Sequence, residues 1–232
     1  EIYTLSLHDA LPIYIEKASK ETYLLPLISL IISIPPALFF YFFNFIPKII
    51  LSILSIIFLY SITGLLHLDG LADFSDGVMA KGDREKKIRA LKDVNTGIAA
   101  LFSTLIVILL ETFSLYSIKV NFFNVLTFFI VSELSAKFSM MGGLLNKPKN
   151  EGLGSLFQKN FKFYYLIVGI LITLPLILYF NYFYFFSFIG FIVSLIISII
   201  SLKNFGFVNG DVLGAMNEIS RAITMVILCM VL

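Results

Sequence analysis

A chain of 232 residues in which 59% of side chains are hydrophobic and 14% charged has a mean hydropathy of +0.95. A soluble domain is about 45–50% apolar and about 25% charged, so a single water-facing core is excluded and the bilayer has to serve as solvent. The net charge of +2 discriminates little, and the single cysteine, Cys229, excludes a disulfide framework or a Cys-based metal site within one chain.

A spanning helix takes about 20 residues, which leaves room for roughly six to eight spans. Hydropathy places seven, over residues 23–43, 49–66, 98–118, 122–142, 163–181, 184–202 and 213–232. The expected fold is therefore all-α, a polytopic membrane bundle of about seven transmembrane helices. The first span contains Pro26, Pro35 and Pro36, and a kink is expected there. The polar segments 67–97, 143–162 and 203–212 and the N-terminal tail are separated by pairs of spans, so all four fall on one side of the membrane. Thirteen of the 17 Lys and Arg residues lie in these segments, against Lys48 and Lys119 on the other side. The positive-inside bias makes the polar side cytoplasmic.

The segment 64–77, GLLHLDGLADFSDG, carries Asp69, Asp73 and Asp76 at i, i+4 and i+7. On a helix these fall within about 60° of one another. Three carboxylates on one stripe at a membrane boundary repel each other unless they are paired, bound or hydrated. A divalent cation resolves the repulsion, and Mg²⁺ prefers carboxylate oxygens with a shell completed by water and a substrate phosphate. A solvated acidic turn is the plainer reading. Gly70 and Gly77 admit close approach of a backbone or a ligand. His67 stands roughly opposite Asp69 on the wheel and reads as a base, a phosphate donor or a polar cap.

Residues 81–89 read as a solvated basic helix. Beyond them, Lys92 is a point charge for phosphate and Asp93 a further metal ligand, while Asn95, Thr96 and Gly97 equally suit the cap of the third span. In residues 146–157, NKPKNEGLGSLF, glycines and lysines offer a phosphate cradle or an ordinary loop. In 205–221, Asp211 sits at the mouth of the last span, with Asn217, Glu218 and Arg221 in its first turns. Glu218 and Arg221, like Glu133 and Lys137, also have the spacing of a plain ion pair. Nothing in the sequence accounts for Glu111.

The four motifs GLLHLDGLADFSDG, LKDVNTG, NEGLGSLF and NGDVLGAMNEISR, in this order and spacing, resemble the cobalamin synthase family of adenosylcobinamide-GDP ribazoletransferases, from about residue 15 to the C-terminus. The resemblance implies a Mg²⁺-dependent integral membrane transferase. It would join adenosylcobinamide-GDP to α-ribazole or its 5′-phosphate and release GMP, late in cobalamin assembly. It marks Asp69, Asp73, Asp76, Lys92 and Asp93 as candidate catalytic residues, the three aspartates also as metal ligands. His67, Asn150, Gly152, Gly154, Asp211, Asn217, Glu218 and Arg221 are candidate substrate contacts. Lipid and the two substrates are the expected partners, nucleic acid is not, and association with other cobalamin-pathway enzymes remains open. Lys137 stands where the family usually has Arg, a change that loses bidentate phosphate binding. Residues 1–14 lack the Thr-Arg-x-Pro-like segment with which the family commonly opens, so the expectation is a foreign tail followed by one catalytic domain, 15–232. Two rivals stand beside this reading. A CDP-alcohol phosphatidyltransferase also uses spaced aspartates, though with a longer gap, and a transporter would explain Glu111, Glu133 and Lys137 inside the spans.

Overall fold

The computed structural model describes residues 7–147 and 152–232, the side chains from residue 14 onward. The proposed foreign tail, residues 1–14, therefore falls partly outside the described residues. Helix α1 (Leu7–Lys20) leads into α2 (Leu25–Phe42), which continues unbroken through Pro35 and Pro36. A short loop joins it to α3 (Lys48–Thr63). Gly64 ends α3 at φ +70°, a backbone conformation that costs an L residue but not glycine. The chain there turns by 94° into α4 (Leu66–Met79), so the acidic motif occupies a helix of its own set at a sharp angle to α3.

Helix α5 (Arg84–Leu91) is the basic helix, capped by the Asp83 carboxylate, which accepts from the Lys86 N–H at 3.0 Å. Two long helices follow, α6 (Ile98–Ser117) and α7 (Phe122–Leu144). A short α8 (Leu153–Asn160) precedes α9 (Phe163–Thr173), α10 (Ile177–Phe180) and α11 (Ile189–Asn204), and α12 (Gly210–Cys229) closes the chain. Among the described residues, five helical stretches are long and apolar enough to cross a membrane, or six with the bent α3/α4 pair taken as one. The seven expected spans divide the 42-residue helical stretch 163–204 into two, 163–181 and 184–202. Straight, it would run about 63 Å at 1.5 Å per residue, twice the hydrocarbon thickness. It is instead broken by 3-10 turns and by Asn181 at φ +52°. It doubles back so that the Thr173 and Tyr184 hydroxyls meet at 3.0 Å.

Helix α7 is the axis of the bundle. It is buried on nearly every side, between α2, α11 and α12. Its apolar residues Phe128, Leu134 and Phe138 pack with Phe40, Leu59 and Tyr184 in the larger core cluster. Gly190 of α11 lies directly against the Ser135 backbone, so close that a Cβ there would collide with the carbonyl oxygen. Small residues that let backbones touch are the usual way helices associate in lipid, where apolar burial supplies no drive.

The charged residues inside the spans form one network. Arg221, fully buried, donates from Nε to Glu111 Oε1 at 2.8 Å, from one terminal nitrogen to Glu133 Oε1 at 3.1 Å and from the other to Glu218. Lys137 adds an ion pair to Glu133 at 3.6 Å and a hydrogen bond to Asn217 Oδ1 at 2.7 Å. Tyr60 donates to Glu218 at 2.7 Å and lies under the guanidinium, 4.8 Å from ring to Cζ. The network ties α3, α6, α7 and α12 together and accounts for Glu111. Breaking such a buried set by removing one partner strands the rest, at a cost of about 3–5 kcal/mol. Arg221→Met should therefore yield protein that unfolds well below the wild-type temperature in detergent or fails to accumulate, whereas Glu111→Gln, which keeps an acceptor for Nε, should lose much less. An unchanged melting temperature for Arg221→Met would show that the network does not hold the bundle.

Candidate active site at one end of the bundle

Helix α4 meets the start of α12 through glycines. A Cβ on Gly70 would stand 2.8 Å from the Asp211 carbonyl oxygen, and one on Gly214 would stand 2.9 Å from that of His67. A Cβ on Gly77 would meet Phe205 and Leu91 at 2.9–3.0 Å. The glycines of the motif thus seat α4 on its neighbours. The contact brings Asp211 beside the acidic stripe, and Asp69, Asp73, Asp76 and Asp211 line one cavity of about 470 Å³ together with Lys92, Asp93, Asn95 and Thr96.

The cavity is electrostatically uneasy. Partial burial, followed by the charges of Asp211, Asp69 and Asp76, pushes the Asp73 carboxyl up to about 6. Asp76 has a different task. Its Oδ2 accepts the Gly97 N–H at 2.6 Å and its Oδ1 the Ala100 N–H at 2.9 Å. It caps α6 from 21 residues upstream, satisfying amides that every helix N-terminus leaves open. Asn95–Thr96–Gly97 does not provide this cap, since Gly97 stands at the N-cap and offers no side chain. The exposed Asp93 accepts from the Asn95 backbone and side-chain amides at 3.0 and 2.8 Å, and these bonds hold its carboxyl below the usual range.

Among the described residues no group of three His, Cys, Asp or Glu side chains stands close enough to hold a metal ion. The set Asp69, Asp73 and Asp76 is accordingly not a closed shell, and Asp76 is engaged with backbone amides. The donor chemistry still fits Mg²⁺, which commonly takes one or two carboxylates and completes its octahedron with water and substrate phosphate. Asp69 and Asp73, with Asp211 opposite, supply carboxylates of that kind on one wall.

A second cavity, of about 800 Å³, shares Lys92 and Asp211 with the first. His67, Gly152, Gly154, Asn209 and Gly210 line it, with Met140, Leu144, Phe157 and Leu213 as an apolar wall. Burial, with the positive charges of Lys137 and Arg221, pushes His67 down to about 3. This shift favours the neutral imidazole, which can still donate or accept one hydrogen bond. Gly152 caps α8 at φ +97°, and a Cβ on Gly154 would stand 2.6 Å from the Gly210 nitrogen. Asn150 lies outside the described residues. Asn217, Glu218 and Arg221 line neither cavity: their side chains are enclosed in the ionic network, where Asn217 also donates to Glu218 at 3.0 Å. Sequence reasoning passed over Asn209, which caps α12 by accepting the Val212 N–H at 3.2 Å and donates to Asp211 Oδ2 at 2.7 Å. An Asn two residues ahead of an Asp at a span entry was the available signal. Tyr60 gave none.

The model of the cobalamin-5-phosphate synthase family matches residues 3–229. An adenosylcobinamide-GDP ribazoletransferase of Pyrococcus abyssi is 42% identical over 220 residues, covering 92% of this chain and 89% of that protein. Proteins of the same name from Pyrococcus furiosus and Thermococcus kodakarensis are 42% and 41% identical, over 92% and 93% of this chain and 91% of each relative. No solved structure matches. The matched stretch contains the acidic helix, both cavities and every member of the ionic network, and the chain belongs to the cobalamin-5-phosphate synthase family.

Proposed function

We propose that this chain joins adenosylcobinamide-GDP to α-ribazole or its 5′-phosphate, releases GMP, and requires Mg²⁺ to do so. The observation that carries the site assignment is the convergence of Asp69, Asp73 and Asp211 on one cavity beside Lys92. In the reaction a ribose hydroxyl of the acceptor attacks the cobinamide-linked phosphorus. A new P–O bond forms, the bond to the bridging oxygen breaks, and GMP leaves with that electron pair. Transfers of this kind depend on alignment and charge neutralisation more than on covalent help. Mg²⁺ held by Asp69 and Asp73 would neutralise the diphosphate. Lys92 lies at the boundary of both cavities and offsets charge on the equatorial oxygens. Asp211, on the same boundary and oriented by Asn209, receives the proton of the attacking hydroxyl. Asp76 holds the entry of α6 against α4 and so fixes the wall. The transporter reading drew on Glu111, Glu133 and Lys137; Glu111 and Glu133 pair with Arg221, and Lys137 pairs with Glu133, inside the bundle.

Asp73→Asn keeps size and hydrogen bonding but deletes a charge. Turnover should fall at least about 100-fold, or roughly 2.7 kcal/mol of transition-state stabilisation, and the Mg²⁺ titration should move to higher concentration. Asp83→Asn should do little, because Asn caps α5 as well as Asp does. Near-normal activity of Asp73→Asn with an unchanged Mg²⁺ titration would remove these carboxylates from the metal site.

The site is proposed to face the cytoplasm, on the strength of the thirteen-to-two distribution of Lys and Arg. In a Cys229→Ser background, Val94→Cys, at a position 96% exposed beside the acidic cavity, should resist an impermeant maleimide in intact cells and react after permeabilisation. Phe45→Cys, in the loop at the other end of α2, should react in intact cells. The reverse pattern would invert the topology.

A further inference from the structure

Two cavities meet at this face of the bundle, and they share two lining residues, Lys92 and Asp211. We propose that the larger cavity seats the aromatic base of the nucleoside acceptor, so that its ribose hydroxyl reaches the phosphorus across the Lys92–Asp211 boundary. The assignment rests on the transfer reaction proposed above and divides its two substrates between the two chambers.

Three observations carry it. The first is the direction of attack. In a phosphoryl-type displacement the entering and leaving oxygens lie roughly in line on opposite faces of phosphorus. With the diphosphate over Asp69 and Asp73, the leaving GMP belongs to the acidic side. The nucleophile must then approach from another direction, and the larger cavity, which shares Lys92 and Asp211 with the acidic one, is the neighbouring space that can supply it.

The second is chemistry. The fused aromatic base of α-ribazole presents π faces and methyl groups and no ring N–H. The wall formed by Met140, Leu144, Phe157 and Leu213 offers a ring, a thioether and aliphatic side chains. Sulfur and aromatic groups make favourable contacts with such faces. Guanine is rich in N–H donors, which find acceptors among the aspartates and Asn95 of the other chamber and few on the apolar wall.

The third is size. About 800 Å³ lies within the range of cavities that enclose a small organic ligand, roughly 300–1,000 Å³. A corrin macrocycle carrying an axial adenosyl group is too bulky to share that space with an acceptor, so it remains at the open mouth. The polar end of the cavity, at Asn209, Gly210 and Asp211, is where the ribose must lie if the base enters first.

The test is a steady-state split between the two substrates in full-length protein in detergent. Met140→Trp narrows the cavity from α7. Leu153→Trp narrows it from α8 at a position 63% exposed, where a larger side chain is tolerated by the fold. Both should raise KM for α-ribazole at least about tenfold, equivalent to about 1.4 kcal/mol of lost binding, and leave KM for adenosylcobinamide-GDP nearly unchanged. Direct titration of α-ribazole onto protein with Mg²⁺ and no corrinoid should weaken in parallel. Ile192→Trp, on the exposed face of α11 away from both cavities, should change neither constant. A rise confined to KM for adenosylcobinamide-GDP would put the nucleotide or corrinoid in this cavity and overturn the assignment. Unchanged constants in both folded variants would show the cavity to be unused. Wild-type protein that forms no cobalamin from the two substrates and binds neither would instead sink the transferase reading, and the assignment with it.

Discussion

The bundle depends on Arg221. A guanidinium with no exposure inside an apolar bundle is tolerated only when its donors are paired, since the desolvation of an isolated ion costs several kcal/mol. Glu111, Glu133 and Glu218 supply the acceptors from α6, α7 and α12, and Tyr60 of α3 covers the group and binds Glu218. The geometry of a planar fork permits few alternatives, so the ion sets the rotation and height of four helices at once. From Arg221, α12 runs roughly 15 Å back to Asp211. Along the way Gly214 and then the Asp211 backbone receive α4. The acidic cavity is therefore positioned from below. Lys137 works in the same frame, holding Glu133 and Asn217, and its side chain is spent on these two groups where bidentate phosphate recognition was expected of Arg.

How much of this was legible in the sequence follows from the range of each interaction. The apolar stretches and the i, i+4, i+7 aspartates are local patterns, and the structure places them where they were read. The span count was not fully legible, because hydropathy records length and composition but not direction. Gly64 at φ +70° turns the chain by 94° into α4, a direction that hydropathy does not carry, while Asn181 breaks the helical stretch 163–204 between the two spans read there. Glu218 and Arg221 illustrate a different failure. Their i, i+3 spacing is the same whether the pair lies at a watery mouth or in a sealed core, and the partners that decide the matter, Glu111 and Glu133, are 110 and 88 residues from Arg221 in the chain. Asp76 was hidden for the same reason. It carries the acidic pattern, but its bonds go to Gly97 and Ala100 in another helix.

The two acidic clusters of the molecule differ in one respect that decides their roles. In the core, Glu111, Glu133 and Glu218 are fully buried and share two cations, Arg221 and Lys137, with Tyr60 and Asn217 donating to Glu218, while Glu111 Oε2 and Glu133 Oε2 accept no hydrogen bond. At the membrane face, Asp69, Asp73 and Asp211 converge with no arginine among the residues lining their cavity, and Lys92 lies at its rim, exposed. Burial, and then the neighbouring carboxylates, raise the proton affinity of Asp73. A divalent cation that arrives with a substrate diphosphate need not be fully caged beforehand, so for the proposed metal site carboxylates gathered on one cavity wall suffice, with substrate and water completing the shell.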